Sequence, residues 1–249
     1  MNPGRLLIIF LILPAVICWT YPDKVRKRLE IDVRPESKWI EGCLSPAFRA
    51  AGWDHWSRDF IQGFRGLAFV FNMPKSTGSV WHRENYMYGD MTLEMLKHLG
   101  DSFESFYVLP ADQDVNHAKN LAQTRKRAWD AVRAALDMGL PAVVLDPISS
   151  EMANEFPNPR LMRIPSYWSL IVGYDELAET YVVDSEASGG RLSVRWDDFG
   201  NHDRSRTFCI MIIKPGTKSL NVHEIHRATI KRALDISQGL YPGNTGKGT

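Results

Sequence analysis

Four apolar segments in the last third of the chain constrain the fold more than anything before them. SLIVGYD (169–175), TYVVDS (180–185), RLSVRW (191–196) and TFCIMIIKP (207–215) are rich in β-branched and aromatic residues, and short turns join the first three. Strands joined so closely pair antiparallel, because a parallel crossover needs a dozen residues or more. The segments upstream read differently. MTLEMLKHLG (91–100) places Leu93, Leu96 and Leu99 at helical spacing and stops on Gly100. Residues 115–138 carry Leu121, Ala128, Val132 and Leu136 on one stripe of a long amphipathic helix, and Gly139 ends it. GFRGLAFVFNM (63–73), FYVLP (106–110) and PAVVLDP (141–147) read as further strands, 148–166 as a proline-bearing loop, and 222–237 as a last helix with Ile225, Thr229 and Leu234. Helices followed by an antiparallel meander predict an α+β fold rather than a doubly wound sheet.

A chain of 249 residues, 44% apolar and 24% charged, can bury a core without staples. Thirty basic residues against twenty-nine acidic ones leave a net charge of +1, which supplies no long-range field for nucleic acid, and no nucleic-acid motif accompanies it. Cys18, Cys43 and Cys209 are too few and too scattered for a disulfide framework or a four-thiolate zinc site. Residues 1–21 contain the unbroken run LLIIFLILPAVI (6–17) behind Arg5, the layout of a secretory leader or short anchor. Lys24, Arg26, Lys27 and Arg28 follow it, where positive charge favours keeping the domain on the cytoplasmic side. The two signals oppose each other: an exported or membrane-anchored domain, associated through residues 6–21, is the first expectation, with a cytoplasmic domain, in which the run is a buried strand or a mis-assigned start, as the alternative. Residues 22–38 read as a basic linker, 39–238 as the domain and 239–249 as a disordered tail.

Within the domain, CLSPAFRAAGW begins with a cysteine at the predicted start of a short helix, where Ser45 and Pro46 suit a first turn and Gly52 a stop. A thiol there gains thiolate character from the helix dipole, as a nucleophile requires, although free cysteines are commonly buried and inert. The order of GCLSPAFRAAGW, GFRGLAFVF, LPAVVLD and YWSLIVGYDELAETYVVDSE, with ATIKRALDIS near the end, resembles the papain-like cysteine peptidases. More narrowly, it resembles the C39-like group around the amino-terminal domain of butirosin biosynthesis protein H, over about residues 39–238. The resemblance implies an amino-terminal helical part packed on an antiparallel sheet, with thiol-dependent peptide hydrolysis or acyl transfer. It implies Cys43 as nucleophile and Asp184 as the carboxylate that orients the base. The base position, six residues before Gly173, holds Tyr167 instead of histidine, and its neighbour is Trp168. Tyrosine, with a pKa of about 10, does not take a thiol proton efficiently at neutral pH. The oxyanion-donor position six before the cysteine holds Ser37. The expectation is a peptidase or acyltransferase homologue lacking its usual base, or a non-catalytic peptide- or acyl-binding module; His82 is the candidate substitute base.

Other patterns carry less. His55, His98, His117 and His202 lie in polar surroundings without partner spacing. His223 and His226 are three apart, not the four of a helical zinc pair, and no third ligand follows. The tail GNTGKGT lacks the helix and the Lys-Ser/Thr step of a phosphate loop. The sequence points to no metal and no cofactor, and it leaves the oligomeric state open. Arg125, Lys126 and Arg127 read as a solvated helix face, and Trp53, Trp56 and Trp81 as core aromatics or the lining of a groove beside Cys43.

Overall fold

A computed structural model describes residues 26–28, 33–37, 40–64, 96–108, 115–147, 168–186, 189–199, 208–216 and 222–237. In chain order they form β1 (Arg26–Arg28), α1 (Ile40–Ala50), α2 (Arg58–Phe64), a 3-10 segment (Lys97–Ser102), β2 (Phe103–Val108) and α3 (His117–Asp137). These are followed by β3 (Ala142–Leu145), β4 (Trp168–Asp175), β5 (Thr180–Ser185), β6 (Gly190–Arg195), β7 (Phe208–Ile213) and α4 (Val222–Ser237). The architecture is α+β: helices packed on one antiparallel sheet ordered β2-β7-β3-β4-β5-β6. β1 pairs with Gly173–Asp175 of β4, beyond the stretch that short β3 covers. The region read as a linker thus contributes a strand. Residues 1–21, 65–95 and 239–249 lie outside the described residues, and with them the leader, most of the predicted 63–73 strand and the tail. Gly63 and Phe64, at the head of that predicted strand, end α2 instead. Among the described residues no helix is long and apolar enough to cross a membrane.

Strands β3, β4 and β7 are almost wholly apolar because both faces of the sheet are covered there. Val143, Leu170, Ile171, Val172, Ile210, Met211 and Ile212 are all completely buried. Edge strand β6 returns to alternation, with Val194 buried between exposed neighbours. The predicted helical stripe is the buried face of α3, where Leu121, Ala128, Val132 and Leu136 are joined by Ala135.

Register separates the two faces. Directly opposed residues of an antiparallel pair share a face, and Tyr174 opposes Tyr181 while Leu170 opposes Asp184. Tyr181 and Asp184 are three apart on β5, so they point to opposite sides. A register shift between Ile171 and Gly173, a β-bulge, reconciles this with the even spacing of Leu170 and Tyr174 on β4. α3 covers the Tyr174 face: the Tyr174 hydroxyl donates to Asp137 at 2.9 Å, and the Trp129 ring lies 5.0 Å from that of Tyr181. α1 packs against β3, β4 and β7, and the electrostatics of its cysteine place it on the Asp184 side.

Candidate functional site

Helix α1 begins at Ile40, three residues before Cys43, so Pro46 falls inside the helix rather than in its first turn. A proline has no N–H, and the carbonyl four residues earlier loses its helical partner. That carbonyl belongs to Gly42, and it accepts instead from the backbone N–H of Glu36 at 2.7 Å. Gly42 also permits the approach. A Cβ there would lie 2.7 Å from the Ser37 carbonyl oxygen and nearer still to the Ser37 nitrogen and Oγ. Outside this contact, the Glu36 carboxylate pairs with Arg49 at 2.6 Å and accepts from Ser45 Oγ at 3.3 Å. Residues 33–37 therefore form a strap across the first turns of α1.

The strap covers the sulfur. Cys43 is fully buried, and its Sγ donates to the Ser37 carbonyl oxygen at 3.8 Å. The position expected to hold an oxyanion donor thus presents an acceptor to the thiol. Burial, first, and then the carboxylates of Glu41, Glu186 and Asp184 push the Cys43 pKa well above that of an ordinary thiol. Of the two readings open for a helix-start cysteine, acidified or buried, the structure favours the buried one. A helix terminus offers an exposed charge about 0.3–1 kcal/mol, less than the cost of ionising a sulfur sealed from water among like charges. The thiolate is the nucleophilic form, and this environment holds the proton on. Glu41 is itself buried and accepts from Gln62 Nε2 on α2 at 2.8 Å.

Asp184 lies on the same side of the sheet, near enough for its charge to act on the sulfur. Its partner is Arg191, its direct neighbour across the β5–β6 pair, whose Nε donates to Asp184 Oδ2 at 3.1 Å. Asp184 is 7% exposed, and the carboxylate expected to orient an imidazole is held by a guanidinium. Two residues before Leu170, Trp168 faces this side too and is buried. Its indole N–H donates but accepts no proton. The structure therefore puts Cys43 and Asp184 on one side of the sheet, within range of each other's charge, and gives each a different bonding partner. Tyr167 and His82 lie outside the described residues.

The aromatic residues after α1 pack on one another. Gly52, with φ of 81°, closes the helix and lets the Trp53 N–H reach the Phe48 carbonyl at 2.9 Å. Trp56 stacks on Phe48 with centroids 4.2 Å apart and meets Trp53 and Phe60 edge-on. Trp53 Nε1 donates to the Lys214 carbonyl at 3.0 Å. Trp56 is thus a core residue, while Trp81 lies outside the described residues. Among the described residues no three His, Cys, Asp or Glu side chains cluster as a metal would need.

Sequence reasoning missed Gly42, misplaced Pro46 in the first turn, and missed Arg191. The first two carried a signal in their spacing, since a proline four residues after a glycine in a helix frees an unobstructed carbonyl. No protein family, curated protein or solved structure matches this chain.

Proposed function

We propose that the chain is a C39-like, papain-type homologue that keeps the scaffold of thiol acyl chemistry without turnover, and that it serves as a binding module for a peptide or acyl group. The observation that carries this reading is the state of Cys43: wholly buried, bonded to the Ser37 carbonyl and within range of the charges of Glu41, Glu186 and Asp184. Acyl transfer needs a thiolate, a base to make it and donors for the oxyanion. At this sulfur the groups are carboxylates and a carbonyl, which favour the neutral thiol. The order of parts supports the scaffold half of the proposal. A cysteine-bearing helix precedes most of an antiparallel sheet, and the carboxylate near the end of β5 lies on the same side of that sheet as the cysteine.

Alkylation of the full chain tests it. Native protein treated with iodoacetamide between pH 6 and 9 is expected to leave Cys43 unmodified by peptide mapping, and guanidinium is expected to expose it. Acyl thioesters and peptides are expected to bind equally to wild type and Cys43→Ala, with no hydrolysis by either. Rapid alkylation of native Cys43 at pH 7, or hydrolysis abolished by Cys43→Ala, would overturn the reading.

A further inference from the structure

Helix α4 packs against α2 and turns a mixed face outward. Ile230 and Leu234 are 62% and 53% exposed. Four residues apart, they adjoin on one ridge. Helical geometry puts His223 and Arg227 on the same ridge, with His226 and Lys231 on its flanks, and all four are exposed. The acidic residues Glu224 and Asp235 fall about 100° and about 120° around the helix from the ridge line.

Single exposed aliphatic residues need no explanation. Two adjoining ones bordered by cations have the make-up of a helix that lies in a lipid interface. We infer that this ridge docks the domain on an anionic lipid surface. Ile230 and Leu234 enter the headgroup boundary while Arg227 and Lys231 meet the headgroup charge. Charge complementarity selects this occupant, and so does composition. Interfacial partitioning adds aliphatic area to cationic attraction, and the ridge offers both. The inference does not rest on the thiol chemistry.

The test is cosedimentation of the full chain with vesicles of phosphatidylcholine alone, or of phosphatidylcholine with about one third phosphatidylglycerol. Wild type is expected to bind the anionic vesicles better, and the excess is expected to shrink with salt. Arg227→Gln/Lys231→Gln and Ile230→Ser/Leu234→Ser are each expected to lower binding to anionic vesicles about tenfold. Both pairs are surface changes, and circular dichroism checks that the variants fold. Equal binding of wild type to both vesicle types overturns the inference and leaves an acidic protein as the better occupant. Unchanged binding by both variants overturns it too, and assigns membrane affinity to residues 6–28.

Discussion

On the face of the sheet covered by α3, Trp129 lies against the rings of Tyr174, Tyr181 and Trp196, and the Tyr174 hydroxyl reaches Asp137 at the helix end. On the face covered by α1, a thiol and two carboxylates, Glu41 and Asp184, are drawn inside among apolar residues. The first face buries large rings, and the polar tip of Tyr174 finds a partner at the rim, which stabilises at little cost. The second buries groups that resist it, each held by a separate contact: Cys43 by Ser37, Glu41 by Gln62, Asp184 by Arg191. The division is not absolute, because Ser169 Oγ, on the α3 side, is buried with no hydrogen-bond partner among the described residues. Groups that resist burial thus gather mainly on the α1 side.

The largest effect is expected at Gly42. Gly42→Ala adds a methyl group against the Ser37 backbone and is expected to cost about 3 kcal/mol in urea unfolding, after any gain in helix propensity of about 1 kcal/mol. A change within about 0.5 kcal/mol would mean that the strap yields readily and adds little to the cover over Cys43. Next comes Arg191→Gln, expected to cost about 2 kcal/mol by leaving Asp184 buried without its cation. Asp184→Asn combined with Arg191→Gln should recover part of that loss. Strict additivity in this cycle would show the pair to be uncoupled and erase the contrast between the faces.

The smallest effect belongs to the aromatic face. Tyr174→Phe is expected to cost about 1 kcal/mol at neutral pH. Burial first, and then the hydrogen bond to Asp137, pushes the Tyr174 pKa up to about 12, against about 10 in the unfolded chain. The folded state holds this proton more tightly, so the contribution is fully present below pH 10 and is lost as pH rises from 10 to 12. The difference in stability between wild type and Tyr174→Phe should narrow over that window. A flat difference would mean that the hydroxyl is as well served by water.

Much of this frame is legible in sequence. The stripe on α3 follows from a 3.6-residue period, and β4, β5 and β7 from unbroken runs of Val, Ile, Leu and Phe. β1 is not legible, because Arg-Lys-Arg carries no apolar pattern and its place depends on β3 being too short to cover all of β4. Cys43 was legible as a helix-start cysteine and not as a sealed one. Its cover depends on a carbonyl released by Pro46 and taken by Glu36, a contact outside the helix's own pattern. Arg191 was within reach. Once Ser185 and Gly190 close the hairpin, Asp184 and Arg191 must face each other.

The irregularity between Ile171 and Gly173 reverses the parity of β4 partway along its length. Upstream, Trp168 and Leu170 look toward the cysteine; downstream, Tyr174 looks toward the rings. Taking the extra residue into regular alternation would swap the upstream set, pointing Ser169 and Ile171 at the sulfur instead, whereas excising it would leave both sides as they are. What keeps the two sides of the molecule distinct is therefore the way one strand sets its extra residue aside as much as the identity of its side chains.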